Sequence, residues 1–244
     1  MNLLQRRLLL DHLVVFVLKK GDNLPVNPSI LASDTFVTLL GAGELKHADL
    51  TEALSIAPLL VAADGGANLA ISHGVMPDLV VGDLDSLSDP ARAALPKDRI
   101  HLIIDQDITD FDKARDSIDA RGVLAVGFTG ARIDHELAVY HSLVRRVDHK
   151  CIVIGGSDVA FLCPPQLTLR LPIGCRVSLF PFGPVGGHST GLKWCIDDLA
   201  FSPAQKVGTS NEAIAEQVTL RFDAPAMMVI LPRAQLNAAM AALF

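Results

Sequence analysis

Carboxylates follow a short apolar run of the sequence at a spacing that suits a divalent cation. Asp83 and Asp85 stand two residues apart after the run Leu79–Val81, and both side chains can face the same side where the backbone stays extended. This Asp-x-Asp pattern suits Mg²⁺, which proteins usually hold with one or two carboxylates, water and substrate phosphates. For this motif alone, a polar loop with Asx turns is an equal alternative.

A second acidic segment, residues 105–113, carries four more aspartates and a lysine. Thr109 with Asp112 three residues later is a capping-box pattern, which predicts that a helix begins there. Asp110 and Lys113 are three residues apart and share one face of that helix, where one suits a metal ion and the other a phosphate. The remaining aspartates are explained equally well as solvated or first-turn helix charges.

A glycine-containing segment, residues 127–135, has features of a phosphate-binding loop. Gly127 and Gly130 allow a close approach of the backbone to a phosphate, and the helix that follows favours an anion at its N-terminus. Arg132 can bond two phosphate oxygens at once. The segment matches neither a Walker A loop nor GxGxxG, so phosphate binding is one interpretation of it.

Trp194 is the only tryptophan of the chain. A lone tryptophan in a β domain is most often part of the core. Because glycine, serine and lysine flank it, the alternative is an exposed platform on which a flat ligand stacks.

Short apolar runs alternate with segments of helical spacing and predict the elements that position these residues. The runs are Phe36–Leu40, Leu59–Ala63, Leu79–Val81, Ile100–Ile104, Val123–Phe128 and Ile152–Ile154. Strands that alternate with helices imply an α/β fold with a mostly parallel sheet and flanking helices. Each run leads into a glycine or aspartate cluster, so we expect the clusters to converge where ligands bind such sheets, beyond the carboxyl ends of the strands.

Two helices are predicted between these runs. Phe111, Ala114 and Ile118 fall on one face of the first. An apolar stripe at helical spacing indicates the second; its members are Ile133, Leu137, Tyr140, Val144 and Val147.

The pattern changes after about residue 164. Leu167, Leu169 and Leu171 alternate with polar residues, and this period of two, repeated further along, predicts antiparallel β structure. The pair Pro164–Pro165 is the predicted boundary. The predicted domains are an N-terminal extension or linker of unclear role (1–34), an α/β domain that binds nucleotide and metal (35–163), and a β domain (164–244).

Composition excludes several classes of function. The chain has 27 acidic against 21 basic residues, a net charge of −6, which argues against a nucleic-acid binder. Its apolar runs are too short to span a bilayer, so no membrane association is expected. Four cysteines form no Cys-x-x-Cys pair, which indicates neither a zinc site nor a disulfide framework and favours a cytoplasmic protein.

Taken together, these segments resemble the thiamine pyrophosphokinase family, in the same order and with similar gaps from about residue 36 to 232. The motifs that carry the resemblance are Asp64–Asn68, Pro77–Asp78 with Gly82–Ser86, Asp105–Lys113, Gly130–His135, Ser189–Trp194 and Ser210–Asn211. The resemblance implies an α/β catalytic domain followed by a smaller antiparallel β-sandwich domain that binds thiamine. It also implies a homodimer with active sites shared between chains, and Mg²⁺ and ATP as co-reactants.

The resemblance also assigns expected roles to individual residues. The expected metal ligands are Asp83, Asp85 and Asp110. The expected substrate contacts are Gln106, Asp134, Trp194, Ser210 and Asn211. The expected nucleotide contacts are Asp64, Gly65, Gly66, Thr129, Gly130 and Arg132. Lys113 and Arg132 are expected to take the negative charge that develops during transfer.

The implied reaction is transfer of the diphosphate group of ATP to the thiamine hydroxyl, which gives thiamine diphosphate and AMP. Positioning and charge neutralisation dominate such transfers. Asp-x-Asp also suits a nucleotide-sugar transferase or a metal phosphatase of another family, but neither explains the β domain that bears Trp194. A thiamine or nucleotide sensor without turnover is the non-enzymatic alternative.

Overall fold

The computed structural model describes residues 29–244 and, nearer the N-terminus, the backbone of two short strands. The chain forms two compact units that divide between Arg132 and Ile133. The predicted boundary at Pro164–Pro165 falls inside the second unit and stays a prediction. Most of the predicted extension, residues 1–34, lies outside the described residues.

The described part of the first unit contains seven strands and four α-helices. The strands are β1 (Leu8–Leu10), β2 (Leu13–Val17), β3 (Leu31–Leu40), β4 (Leu59–Ala63), β5 (Leu79–Gly82), β6 (Ile100–Ile104) and β7 (Ile118–Val126). The helices are α1 (His47–Ile56), α2 (Gly66–Ser72), α3 (Asp89–Ala94) and α4 (Asp110–Asp116), with a short 3-10 helix at Lys97–Arg99.

These strands hydrogen-bond in the order β1-β2-β6-β5-β4-β3-β7. The β1–β2 pair is antiparallel, and every other neighbouring pair in this order is parallel. The predicted α/β fold with a mostly parallel sheet is therefore confirmed. Because the strands from β2 to β7 run in one direction, the loops that follow them meet at the same edge of the sheet.

Strands β4 and β5 contain only apolar residues and glycine and are almost completely buried, as is typical of parallel strands covered on both faces. Val80 on β5 and Ala62 on β4 are buried in one cluster with Leu87, Ala91 and Leu95 from the segment that includes α3. This packing fixes the chain on both sides of the loop that follows β5.

Three predictions for this unit are wrong about the residue at which a helix or strand begins or ends. Ile118 lies in β7 rather than on α4, because the helix ends at Asp116 and Ile118 pairs with Leu31 of β3. The strand predicted at Val123–Phe128 begins at Ile118 and ends at Val126, since Gly127 adopts a φ of +70°. Residues 31–34, predicted as part of a linker, are the first residues of β3.

The second unit contains two helices and nine strands within the part of the chain that the structure describes. The helices are α5 (Ile133–Arg145) and α6 (Leu236–Leu243), preceded by a 3-10 turn at Arg233–Gln235. The strands are β8 (Cys151–Ile154), β9 (Asp158–Leu162), β10 (Gln166–Arg170), β11 (Arg176–Pro181), β12 (Val185–Thr190), β13 (Ala200–Phe201), β14 (Gly208–Glu212), β15 (Gln217–Phe222) and β16 (Met227–Pro232).

All the strand pairings within this unit are antiparallel. One set runs β8-β9-β16-β11-β14 and the other β10-β15-β12-β13. Along β10 and β15 the apolar residues are buried and most of the residues between them are exposed, so the prediction of antiparallel β structure from the period of two is confirmed.

Helix α5 is present where predicted, but it buries a different face. Its buried residues are Val139, Ser142 and Leu143. Ile133 and Leu137 of the predicted stripe are 77% and 56% exposed. An apolar helix face is therefore left open in the single chain. No helix in the described residues is both long and apolar enough to cross a membrane.

Candidate active site

Three aspartates meet where the parallel strands of the first unit end. Asp64 directly follows β4, Asp83 directly follows β5, and Asp110 is the first residue of α4, the helix after β6. One carboxylate oxygen from each residue lies within 4.8 Å of the others. The predicted convergence of acidic residues at this edge is thus present, with three separate elements contributing one carboxylate each.

The turn at Asp64 holds its side chain in this group. Its φ of +41° is in the left-handed region, which residues other than glycine seldom adopt. Two hydrogen bonds stabilise the turn: the Asp64 N–H donates to the Val81 carbonyl over 2.9 Å, and the Ser86 N–H donates to Asp64 Oδ2 over 3.2 Å. A Cβ atom at Gly82 would lie 2.8 Å from Asp64 Cβ, so this position requires glycine.

The loop after β5 is tied to helix α2 by a single side chain. Asn68 Nδ2 donates to the Ser86 carbonyl over 2.7 Å, and Asn68 Oδ1 accepts from the Ser88 N–H over 3.0 Å. Both ends of the amide are therefore used to fix the loop that begins with Asp83.

The predicted capping box at the start of α4 is confirmed. The Asp112 N–H donates to Thr109 Oγ1 over 3.2 Å, and the Thr109 N–H donates to Asp112 Oδ2 over 3.3 Å. Phe111 packs edge-on against Phe128 with ring centroids 4.9 Å apart. The cap and this contact together fix Asp110 at the first position of the helix.

Lys113 lies between two of the three carboxylates. Its Nζ donates to Asp83 Oδ2 over 3.1 Å and to Asp110 Oδ1 over 2.9 Å, and only 2% of its side chain is exposed. Burial alone would lower the pKa of Lys113, but hydrogen bonds and attraction from Asp110 and Asp83 outweigh burial and raise it. Lys113 is therefore a charged ammonium at neutral pH.

The donor set fits a hard divalent cation. Burial and the negative charge of Asp110 raise the pKa of Asp64, against hydrogen bonds from Ser86. Within the described residues, Asp64 Oδ1 and Asp83 Oδ1 are buried and have no hydrogen-bond partner. Carboxylate oxygens without partners in a negative group are what Mg²⁺ binds, and unpartnered buried charge is otherwise costly.

The composition of this group differs from the predicted metal set in one member. Asp85 is exposed, its Oδ1 accepts from the Ser86 hydroxyl over 3.0 Å, and it is not one of the three grouped residues. Asp64, which is predicted to contact nucleotide, is the third member of the group instead of Asp85. An acidic residue directly after the run Leu59–Ala63 is the sequence signal for it. The metal role of Asp85 stays a prediction.

The loops after β3 and β7 are bonded to each other through their backbones. The Gly41 N–H donates to the Val126 carbonyl over 2.9 Å, the Gly43 N–H to the Gly127 carbonyl over 2.6 Å, and the Glu44 N–H to the Thr129 carbonyl over 3.0 Å. These bonds place two more loops at the carboxyl edge of the sheet.

The residues predicted to contact nucleotide lie in loops of the first unit. Gly65 and Gly66 stand at the beginning of α2. Thr129 and Gly130 belong to the loop after β7, and the exposed Arg132 ends it. Their contacts with nucleotide stay predictions.

In the second unit, Trp194 is 55% exposed, which overturns the interpretation of a core residue. Its backbone is fixed by the buried Asn211: the Trp194 N–H donates to Asn211 Oδ1 over 3.1 Å, and Asn211 Nδ2 donates to the Trp194 carbonyl over 2.7 Å. Lys193 Nζ lies 5.0 Å from the centroid of the indole ring. No local pattern in the sequence marks Asn211 as the support of Trp194.

Of the four other residues predicted to contact substrate, three are exposed and Asn211 is buried. Gln106 is exposed in the loop between β6 and α4 of the first unit. In the second unit, Asp134 is exposed at the second position of α5, and Ser210 is exposed on β14 with a φ of +59°. The polar side-chain atoms of Asn211 already bond to backbone groups of Trp194 and Glu212. The substrate contacts of these four residues stay predictions.

Two family models match the chain in order. Residues 50–154 match "Thiamin pyrophosphokinase, catalytic domain", and residues 167–227 match "Thiamin pyrophosphokinase, vitamin B1 binding domain". Together the two regions cover more than half of the chain.

Curated relatives and solved structures agree with these matches. The chain is 26% identical over 208 residues to thiamine pyrophosphokinase 1 of Arabidopsis thaliana, which covers 71% of this chain and 78% of the relative. A crystal structure of a Lactobacillus plantarum protein is similar with a TM-score of 0.69 and 27% identity, over 82% of this chain and 99% of that one. The thiamine pyrophosphokinase of Bacillus subtilis shares the fold, with a TM-score of 0.66 and 21% identity over 81% and 98% of the two chains.

Proposed function

The chain belongs to the thiamine pyrophosphokinase family, and we propose that it transfers the diphosphate group of ATP to the hydroxyl of thiamine, releasing AMP. Three grouped carboxylates at the carboxyl edge of a parallel sheet, in a chain that matches both domains of the family, support this reaction most directly. The thiamine hydroxyl releases its proton to solvent, its oxygen forms a bond to the β-phosphorus of ATP, and the bond from that phosphorus to the oxygen of the AMP phosphate breaks.

Asp64, Asp83 and Asp110 are the residues that we assign to a divalent cation, for which Mg²⁺ is the candidate. When bound, such a cation neutralises phosphate charge and polarises the phosphoryl oxygens. The side chains are held by the turn at Asp64, the loop tied by Asn68 and the cap of α4. They need little rearrangement to receive a ligand, which favours an electrostatically preorganised site.

Positive charge at this edge comes from Lys113 and Arg132. We assign Arg132 to the phosphates because its planar guanidinium can bond two phosphate oxygens. The residues of the chain thus bind and orient the reactants and stabilise charge, and covalent participation of a side chain is not needed.

Thiamine is assigned to the region of Trp194 in the second unit. Its thiazolium ring is cationic and its aminopyrimidine ring is flat, so both suit an exposed indole. Asn211 fixes the backbone at Trp194, so the ring projects from a well-defined position.

A homodimer with active sites shared between chains is part of the proposal. The open face of α5, with Ile133 77% and Leu137 56% exposed, supports association with a second copy, because apolar surface of this kind is usually covered. Sedimentation of the wild type and of Leu137→Glu tests it. We expect a dimer that this substitution dissociates. A monomeric wild type would refute both the dimer and the shared active sites, while the reaction itself is tested separately by its products.

The reaction is tested by incubating the chain with ATP, Mg²⁺ and thiamine and identifying the products by mass. AMP and thiamine diphosphate are expected in equal amounts. ADP with thiamine monophosphate would instead indicate single-phosphoryl transfer, and no product would favour a protein that only binds its ligands.

A further inference from the structure

Lys113 is buried beside the carboxylate group that we assign to a divalent cation. Its ammonium group has three donors and no acceptor, and two of the donors are used by Asp83 Oδ2 and Asp110 Oδ1. A buried ammonium is stable only beside opposite charge. The two aspartates that neutralise it also belong to the group assigned to a divalent cation.

We propose that Lys113 is the resident counter-ion of the Asp64–Asp83–Asp110 group. It holds Asp83 and Asp110 together while no divalent cation is bound, and it lowers the affinity of the group for a free divalent cation. Metal then enters together with nucleotide, whose phosphates offer the ammonium a new partner. This inference rests on the metal role assigned to the three aspartates under the proposed function.

The distances support both parts of this role, which are to hold the aspartates together and to lower their affinity for a free divalent cation. Without the ammonium, carboxylates whose oxygens lie within 4.8 Å of one another would repel. With it, an incoming divalent cation must approach a fixed positive charge that is 3.1 Å from Asp83 Oδ2 and 2.9 Å from Asp110 Oδ1. The unpartnered Oδ1 atoms of Asp64 and Asp83 remain available to a metal, so the ammonium competes with the metal without blocking it.

A lysine that serves only to bind phosphate would behave differently. Its removal would weaken nucleotide binding and leave the affinity for a free metal ion unchanged. Removal of a resident counter-ion must instead raise that affinity, since a positive charge a few ångströms away is lost. At such separations the Coulomb energy near a protein surface corresponds to a change of at least about tenfold in affinity.

The experiment uses the full chain without nucleotide or thiamine and measures Mn²⁺ binding by the EPR signal of free Mn²⁺. Lys113→Met and Lys113→Gln remove the charge, Lys113→Arg keeps it, and Lys97→Met removes an exposed charge from the 3-10 helix before β6 as a matched control. We expect at least about tenfold tighter Mn²⁺ binding in both neutral variants. Lys113→Arg and Lys97→Met are expected to stay near the wild type.

Folding is followed in the same samples by thermal melting. The neutral variants should melt below the wild type when metal-free, and Mn²⁺ should raise their melting temperature more than it raises that of the wild type. Unchanged or weaker Mn²⁺ binding in the neutral variants would overturn the inference. So would neutral variants that stay unfolded in excess Mn²⁺, because a divalent cation could then not replace the ammonium.

Failure of this inference is separable from failure of the proposed function. A wild type that forms AMP and thiamine diphosphate while Lys113→Met binds Mn²⁺ no more tightly refutes only the counter-ion role. Absence of both products refutes the reaction, whatever the Mn²⁺ measurements give.

Discussion

The aspartate group of the first unit and the tryptophan of the second are held in opposite ways. Asp64, Asp83 and Asp110 follow three different strands and lie close together, and a lysine that is 2% exposed bonds to two of them. Trp194 stands on one loop, more than half exposed, with its backbone bonded to one buried asparagine.

This difference follows from the chemistry that each region would perform. Interactions between charges are stronger when the charges are removed from water, but each buried charge must then be neutralised by a partner. The first site therefore needs several charged groups held at fixed positions. A stacking surface gains affinity from the area that a ligand covers, so it must stay open until the ligand arrives. We therefore expect substitutions in the first unit to act on turnover and stability, and those at Trp194 to act on affinity.

The largest effect is expected when one carboxylate of the aspartate group is neutralised. Asp83→Asn should lower turnover at least about 100-fold, the scale seen when important transition-state charge stabilisation is lost. The fold should survive because one repulsive charge is removed and Lys113 keeps Asp110 as a partner. Steady-state kinetics and circular dichroism of the variant measure both effects.

Asp64→Asn and Asp85→Asn extend this test to the third member of the metal set. A comparable loss in both would assign metal-related roles to both residues, and a loss in one alone would identify the third ligand. If folded Asp83→Asn keeps near-normal turnover, the assignment of a catalytic cation to this group is refuted.

The second effect tests how closely the backbone at Gly82 packs against Asp64 of the aspartate group. Gly82→Ala would place a Cβ atom 2.8 Å from Asp64 Cβ, and overpacking of this kind costs about 1–3 kcal/mol of unfolding free energy. Turnover should fall as well because Asp64 must move. Gly156→Ala is the matched control, since no atom lies within 4 Å of an added Cβ there. Urea melts in which both variants match the wild type would contradict this account of the packing.

The third effect concerns the support of the open region. Asn211→Ala leaves the N–H and carbonyl of Trp194 without their partners, which should cost about 1–3 kcal/mol of unfolding free energy. The KM for thiamine should rise while the KM for ATP stays constant, because the indole loses its fixed position. Asn237→Ala, on the exposed side of α6, is the control. A rise in both KM values would place Asn211 in a general structural role.

The smallest effect is expected at the stacking surface itself. Trp194→Ala should raise the thiamine KM about 2- to 30-fold, the range of a cation–π contact of roughly 0.5–2 kcal/mol. The ATP KM and the unfolding free energy should change little because the side chain is 55% exposed. The wild type provides a direct readout, since thiamine should quench or shift the emission of this single tryptophan. If the intensity and wavelength of the emission stay the same at saturating thiamine, stacking is contradicted.

The sequence predicts the first region better than the second. Short apolar runs followed by aspartates are local patterns, and a parallel sheet brings their ends together, so Asp83 and Asp110 could be placed at one edge from the sequence alone. Asp64 also directly follows an apolar run, which marks it as a candidate for the same edge, but its place in the group instead of Asp85 depends on a φ of +41° at Asp64 and on the hydrogen bond from Ser86.

Long-range contacts account for the remaining differences. The bonds between Asn211 and Trp194 join residues 17 apart in the sequence, and no local pattern marks them. Ile118 is predicted on a helix but lies in a strand, because it pairs with Leu31, which is far away in the sequence. The spacing on α5 correctly predicted a helix, but the buried face is decided by which neighbours pack there, and these bury Leu143 and leave Leu137 open.

The backbone bonds between the loops after β3 and β7 have a consequence for local unfolding. The Gly41 N–H donates to the last carbonyl of β7, and the Gly43 and Glu44 N–H groups donate to carbonyls of the loop after it. These amide hydrogens should therefore exchange with deuterium at rates closer to those of the sheet than to those of free loops. Loops that open only with their sheet are ordered before any ligand arrives. Binding at this edge then involves little loss of conformational entropy of the loops. The ordering of loops should therefore contribute little to the temperature dependence of phosphate affinity.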